Sequence, residues 1–396
     1  MADSRTIVVA GAGIGGLTTA LALAARGFRV IVLERAAKLE ETGAGLQLSP
    51  NASRILIELG LEPLLAPHVI APDSISIMTA RTGKEIGRVP LGEAAALRYG
   101  APYWIARRAD LQSALLARVT SHPDIDLRLG AQFEDVAVYP KGVTVVQRRV
   151  SERQQEPALA LIGADGVWSS VRHQIFPDAQ PQFTGSIAWR GTVDASQLPR
   201  GFMTQRVQLW MGANAHLVAY PMSGGKRINM VAVVSGKWNR PGWSEPGDVV
   251  EIANHFTDPH WPIAARMMIG AVDSWRKWAL FAMRDGGVWN KGPIALLGDA
   301  SHAMLPFAAQ GAGMAIEDAA VIAKCLDASR TNPTEAFAKY ASLRASRVAR
   351  VQRTARKNGQ TYHLSGPVRF ARDQVIRVLG GSRLLSRQDW IYDWKA

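Results

Sequence analysis

Three glycines near the amino terminus, Gly11, Gly13 and Gly16, constrain this chain more than any other feature. They form G-x-G-x-x-G directly after a short apolar, β-rich run, Thr6–Ala10. The segment that follows, Ile14–Arg26, reads as a helix, and a second apolar run, Phe28–Leu33, ends in Glu34. In such a strand–helix–strand unit the first glycine allows a tight turn. The second lets backbone approach a pyrophosphate, and the third lets helix and strand pack closely. Glu34, eighteen residues after Gly16, stands where an acid accepts from a ribose hydroxyl. The unit predicts a parallel sheet that presents a helix N-terminus to an anion.

Two later segments have a similar build. Residues 294–318 read IALLGDASHAMLPFAAQGAGMAIED. An apolar run ends in Gly298-Asp299, a loop carries Pro306, Gly311 and Gly313, and a helical pattern runs on from Met314. The loop delivers a carboxylate, and the glycines let backbone N–H groups come close to a ligand at a helix start. The other segment is Leu161-Ile162-Gly163-Ala164-Asp165-Gly166, followed by Val167-Trp168-Ser169-Ser170-Val171-Arg172. Taken alone it is a capped βα turn, because Asp and Ser are good caps.

Together these segments resemble the single-component FAD-dependent aromatic hydroxylases, a family of flavoprotein monooxygenases. The resemblance covers nearly the whole chain. It includes Gly43-Ala44-Gly45-Leu46-Gln47 with Pro50-Asn51-Ala52, and Arg107-Arg108-Ala109-Asp110-Leu111. His216-Leu217-Val218-Ala219-Tyr220-Pro221 resembles an element of the salicylate hydroxylase and 6-hydroxynicotinate 3-monooxygenase branch. The resemblance implies a non-covalent FAD with its pyrophosphate at Gly11, Gly13, Gly15 and Gly16. It implies Glu34 at the adenosine ribose with Arg35 beside it, and Val136 by the adenine through its backbone. Gly45, Leu46 and Arg108 fall in FAD-contacting motifs, and Asp165 in the motif shared by FAD and NAD(P)H. Asp299 is implied at the ribityl chain, with Pro306, Gly311, Ala312 and Gly313 around the flavin. NAD(P)H, as co-substrate, is implied to bind transiently, since the sequence holds only one G-x-G-x-x-G.

Composition agrees with this class. The 396 residues suffice for two or three core-forming units, and 47 % hydrophobic with 20 % charged content is ordinary for a globular chain. No apolar run reaches the ~18 residues that span a bilayer, and no stable membrane insertion is expected. The single cysteine, Cys325, forbids an internal disulfide and points to a cytoplasmic setting. No His/Cys cluster has metal-ligand spacing, so no metal is expected. The net charge of +13 is uneven: residues 344–396 hold twelve Lys/Arg and three Asp/Glu. Arg344, Arg347, Arg350, Arg353 and Arg356 recur every third residue and so wander round a helix. The favoured reading is a solvated Arg-rich helix. A field attracting anionic substrate and NAD(P)H, a membrane footprint, or a nucleic-acid footprint without an accompanying motif, are the other readings.

Because the three turns lie far apart yet surround one cofactor, the expected architecture is α/β with a discontinuous Rossmann-like FAD-binding domain, residues 1–72, 100–176 and 277–330. Residues 73–99 and 177–276 are expected to form an inserted, mostly antiparallel substrate-binding sheet. Its strands read as Ser186–Val193, Val207–Met211, His216–Met222 and Ile228–Val234, with turns at Gly212-Ala213-Asn214 and Ser223-Gly224-Gly225-Lys226. Residues 331–396 read as a basic helical region broken near Gly366-Pro367 and Gly380-Gly381. A monomer or homodimer is expected.

His216 and Tyr220 lie four apart on a strand and so share a face. They are either a structural hydrogen-bonded pair or, as the resemblance implies, the catalytic pair that orients and deprotonates a phenolic or N-heteroaromatic substrate. The implied chemistry is hydroxylation with NAD(P)H and O2 through a flavin C4a-hydroperoxide, with His216 as base and Tyr220 as relay. One departure stands out. Salicylate hydroxylases often carry a His after the Pro that aligns with Pro306, and here that residue is Phe307. Competing readings are a hydroxylase of quinone-type lipids and a non-catalytic basic binding protein on a flavin fold. A flavin halogenase is a weaker reading, since its Trp-x-Trp-x-Ile-Pro element is missing.

Overall fold

The computed structural model describes residues 5–39, 45–150, 152–198, 202, 205–240, 242–257 and 259–396. Gly43 and Ala44 of the sequence motif lie outside the described residues. The fold is α/β. Its first layer is a six-stranded sheet in the order Asn290–Lys291, Ile294–Leu296, Ala160–Gly163, Thr6–Ala10, Arg29–Glu34, Ile125–Leu129. All pairs are parallel except the two-residue edge strand. The inner strands Thr6–Ala10, Ala160–Gly163 and Ile294–Leu296 are buried on both faces, which is why they read as apolar runs. In-register pairing sets Ala10 beside Gly163 and Gly163 beside Leu296. The three turns recognised in sequence therefore leave the same sheet edge side by side, where open parallel sheets bind ligands.

Two helices cover the centre of this sheet. In Ile14–Ala24 every residue except Gly15 is buried, which explains why it is apolar all round. A Cβ on Gly15 would sit 2.7 Å from the Leu297 side chain and 3.2 Å from that of Ala315. That glycine lets this helix approach the second one, Gly311–Ala328.

The second layer is an eight-stranded sheet, antiparallel except for the parallel pair Arg206–Gly212 with Ser74–Thr79. The expected strands are present as Gln182–Asp194, Arg206–Gly212, Ala215–Met222 and Arg227–Ser235. Alternation sorts their side chains by period two. Trp189, Trp210, Leu217, Ala219, Met230, Ala232 and Val234 enter a core beneath helices Val249–Ala253 and Ile263–Gly270. Arg190, Leu209, His216, Val218, Tyr220, Val231 and Val233 face the opposite way, into a cavity. The expected boundary at residue 277 falls inside the strand Trp275–Ala282, which pairs with Gln182–Asp194 and so belongs to this sheet.

The carboxy-terminal region corrects the expectation of a solvated arginine helix at Arg344 and Arg347, while Arg350, Arg353 and Arg356 are exposed as expected. Helix Pro333–Tyr362 is followed by Gly366–Ser386, which is kinked at Gly380. Arg344 is fully buried and bridges Glu317 and Asp318 at 2.6 and 2.7 Å. Arg347 pairs with Glu317 and donates to the Trp390 and Ile391 carbonyls. Arg350 stacks 3.9 Å over the Trp390 ring, and Arg356 pairs with Asp285. Of the five, only Arg353 has no such partner among the described residues. Triplet spacing spreads the arginines round the helix, so Arg344 and Arg347 turn inward to carboxylates while Arg350, Arg353 and Arg356 stay exposed.

Removing one partner of a buried ion pair leaves an uncompensated charge. Arg344→Met should therefore lower stability by about 3–5 kcal/mol, whereas Arg356→Met, at an exposed pair, should change it by less than ~1 kcal/mol. Urea unfolding of the two variants checks this. Burial alone would raise the Asp318 carboxyl, but His302 and Arg344 hold it down at about 2. Its pKa is depressed on folding, so its contribution is complete above pH ~4 and is lost as pH falls towards 2.

Candidate active site

The cavity between the two layers encloses about 460 Å³. Its floor is the edge of the parallel sheet, where Gly13, Gly15, Ala164, Gly298 and Asp299 line it. Gly11 has φ +108°, and a Cβ there would sit 2.5 Å from the Ala164 carbonyl oxygen. A Cβ on Gly16 would sit 1.9 Å from the Gly11 carbonyl oxygen, so this position admits only glycine. Gly13 meets nothing within 4 Å and leaves open space at the start of helix Ile14–Ala24. The loop thus forms a cradle with unsatisfied N–H groups at a positive helix end.

Glu34 closes this cradle. Its Oε2 accepts from Ala12 N–H and its Oε1 from Ala36 N–H, both at 2.9 Å. Each oxygen keeps a second lone pair, so a ribose hydroxyl remains a compatible partner. Arg35 beside it is exposed, and Val136 is half-buried on the strand Ala131–Tyr139. Neither borders the cavity, nor do Gly11, Gly16, Glu34, Asp165 and Gly313. Asp165 turns both oxygens to its own turn, where Ser169 Oγ, Ser170 N–H and Val171 N–H donate at 2.5, 2.7 and 3.1 Å. This is the capping arrangement that its sequence context alone suggested.

Asp299 is different. It begins the short helix Asp299–His302, is exposed to the cavity, and takes no protein donor among the described residues. Opposite it, helix Gly311–Ala328 brings Gly311 and Ala312 to the cavity with free backbone N–H groups. Pro306 and Ala309, the latter left-handed at φ 52°, shape the loop between. Gly313 faces inward, where a Cβ would sit 3.0 Å from Gln310 Oε1. Asn51 donates to Gln310 and Glu317, which ties its own helix to this N-terminus. Gly45, Leu46 and Arg108 complete the wall. A glycine cradle, an unpartnered carboxylate and a helix start fit the pyrophosphate, ribityl hydroxyls and pyrimidine ring of FAD.

The opposite wall belongs to the eight-stranded sheet. His216 is 2 % exposed, and its Nδ1 lies 2.8 Å from His363 Nε2. One imidazole donates and the other accepts. Burial and the neighbouring His363 push His216 down to about 3, and burial pushes His363 down to about 4. Both are neutral at physiological pH. Phe307 and Tyr362 meet the His216 ring edge-on at 5.0 and 5.3 Å. Phe307 in turn rests on Gly359, where a Cβ would sit 2.6 Å from it. Tyr220 is 4 % exposed, and burial raises its hydroxyl despite Arg190 and Asn229 nearby. It is a donor at neutral pH.

His216 and Tyr220 share the cavity face, but no hydrogen bond joins them, which corrects the relay expected between them. Four residues of extended chain separate them by ~13 Å along the strand. The partner of His216 comes instead from the end of the carboxy-terminal helix. Sequence reasoning also missed Arg190, Tyr103, Thr354, Asn358 and Tyr392 as lining residues. The Tyr103 hydroxyl donates to Gln47 at 2.6 Å. A polar residue inside an apolar strand was the available signal for Arg190; for the helical residues there was none.

Asp299→Ala removes a charge-assisted acceptor. FAD affinity should fall by about one to two decades, the equivalent of ~1.5–3 kcal/mol, as read by fluorescence titration of the apoprotein. Unchanged affinity would show that this carboxylate does not face the cofactor. Gly16→Ala must move backbone and should purify without flavin.

Residues 4–355 match the family described as FAD binding domain. The chain is 33 % identical over 395 residues to 3-hydroxybenzoate 6-hydroxylase of Klebsiella oxytoca, covering 100 % of this chain and 98 % of that one. It is 36 % identical over 392 residues to 3-amino-4-hydroxybenzoate 2-monooxygenase of Streptomyces platensis, covering 98 % and 96 %. Its structure is similar to that of a salicylate hydroxylase substrate complex, with a TM-score of 0.83 at 26 % identity, covering 100 % of this chain and 97 % of that one. With its glycine cradle, free Asp299 carboxylate and matched length, this chain belongs to the FAD-dependent aromatic hydroxylase family.

Proposed function

We propose that the chain hydroxylates an electron-rich phenolic or N-heteroaromatic ring, with NAD(P)H and O2 as co-substrates. The observation that carries this reading is a neutral, buried imidazole, His216, on the cavity wall that faces the helix start at Gly311 and Ala312. When bound, FAD supplies hydride acceptance and dioxygen activation. The rest falls to the chain. Val218, Val231 and Val233 form an apolar surface against which a ring can lie and from which water is excluded. His216, neutral and held by His363, accepts a hydrogen bond from the phenol hydroxyl, which orients the ring and raises its electron density as it reacts. Helix Gly311–Ala328 stabilises negative charge that develops over its N-terminus.

In this reading residues 1–72, 100–176 and 283–330 serve the cofactor, and 73–99 with 177–282 serve the substrate. Phe307, where salicylate hydroxylases often carry His, favours a substrate other than salicylate. A cytoplasmic setting agrees with the single buried thiol of Cys325. Among the described residues no helix is long and apolar enough to cross a membrane. The paired arginines of the carboxy-terminal helix weaken the alternative of a basic binding protein.

His216→Ala should still hold FAD and accept hydride from NAD(P)H. Its hydroxylation step should slow by up to ~10²–10⁴-fold, and peroxide released per NAD(P)H consumed should rise. Coupling equal to the parent would make His216 structural. Tyr220→Phe serves as the probe if the Ala variant loses FAD. Because both imidazoles are already neutral, single-turnover hydroxylation should show no inflection near pH 6.5. An inflection there that vanishes in His216→Ala would contradict the neutral pair.

A further inference from the structure

The cavity does not end at His216. Beyond the strand Ala215–Met222 its wall continues across Arg206–Gly212 and Ser74–Thr79 to Glu85–Pro90, the last strand of the eight-stranded sheet. Leu209 pairs with Val218, Ile75 with Val207, and Val89 with Ile75, so these side chains share the face that carries His216. Each of them borders the cavity. Three strand spacings of ~4.8 Å set the Val89 strand about 14 Å from the His216 strand. A single hydroxylated benzene ring held at His216 does not reach it.

The other side of this end comes from outside the sheet. Tyr103, Ile391 and Tyr392 line it and form one apolar cluster with Ile75, Val89 and Leu209. The Tyr103 and Tyr392 rings meet edge-on at 5.9 Å, and the Tyr103 hydroxyl is taken up by Gln47. Burial raises both phenols, so neither carries charge at neutral pH. The charged residues of the cavity stand elsewhere. Arg190, with Arg108 near it, lies two strands from His216 in the opposite direction, and Asp299 stands at the parallel sheet. The elements that fit FAD, namely the glycine cradle, the Asp299 turn and helix Gly311–Ala328, also belong to that other layer. Close-packed interiors keep few spaces of this kind, and an apolar one beside a few convergent polar groups is suited to a ligand.

We propose that this end is an arm pocket: the substrate is a phenolic ring carrying an apolar substituent, an alkyl chain or a second ring, which lies between Leu209, Ile75 and Val89 on one side and Tyr103 and Tyr392 on the other while the ring hydroxyl stays at His216. Removing the arm from water supplies the affinity, and the hydroxyl at His216 supplies the orientation. The proposal rests on the ring-hydroxylation reading above and adds to it what the ring carries.

The test titrates FAD-loaded protein with phenol and with two series of alkylphenols, substituted meta or para to the hydroxyl with methyl, propyl, pentyl and heptyl arms. Binding is read from the flavin absorbance and by calorimetry. In at least one series affinity should rise about three- to fourfold per methylene, the equivalent of ~0.8 kcal/mol, and then level off. Val89→Trp, which fills the far end, should make the rise stop at a shorter arm. Val89→Ala should let it continue to a longer one. Affinity indifferent to arm length in both series, or a rise that neither variant alters, overturns the proposal. If Val89→Trp fails to fold, Val89→Ala must still move the levelling point outward, and an unmoved point overturns the proposal. A rise with arm length without NAD(P)H oxidation stimulated by any of the phenols would overturn the hydroxylation reading and leave the pocket. Ring-stimulated oxidation with binding indifferent to arm length would do the reverse.

Discussion

Two neighbouring carboxylates, Glu317 and Asp318, hold the walls of the cavity in register. Asp318 accepts from Gly298 N–H and Arg344 Nε and pairs with His302 Nε2. Glu317 accepts from Asn51, Arg344 and Arg347. Both are fully buried, and neither would be tolerated there alone. Their partners come from the Asp299 turn, from the Asn51 helix and from the carboxy-terminal helix. The distance between the free Asp299 carboxylate and the helix start at Gly311 is therefore set by a ladder of charges behind the cavity, out of reach of any ligand.

The same ladder gives the basic composition its meaning. A net charge of +13 invites thoughts of polyanions. Yet Arg344 and Arg347 are drawn inward by Glu317 and Asp318, Arg350 lies over Trp390, and Arg356 meets Asp285 at the surface. They attach the carboxy-terminal region to the layers it completes. That region contributes Thr354, Asn358, Tyr362 and Tyr392 to the cavity wall and His363 behind His216.

What could be read in the sequence followed from local periodicity. The glycine cradle, the turns after the parallel strands and the alternating face of Ala215–Met222 each depend on residues a few positions apart. The shared face of His216 and Tyr220 belongs to this class. What could not be read depends on crossings between distant segments. His216 and His363 are separated by 147 residues, and no spacing rule links them. Arg344 and Arg347 read as solvated because a helix carries no record of what packs against each side. For Asp165 the cap legible in the local sequence is present, its oxygens accepting from Ser169, Ser170 and Val171.

The most direct measurement of the central claim is the origin of the oxygen atom in the product. FAD-loaded protein is supplied with NADH and a panel of hydroxylated aromatic and N-heteroaromatic acids under ¹⁸O₂, and products are analysed by mass spectrometry. A neutral imidazole and an apolar wall facing a flavin site predict a ring-hydroxylated product carrying one ¹⁸O atom. NADH consumption that yields only labelled hydrogen peroxide with every ring, or a product oxygen drawn from water, would contradict the account.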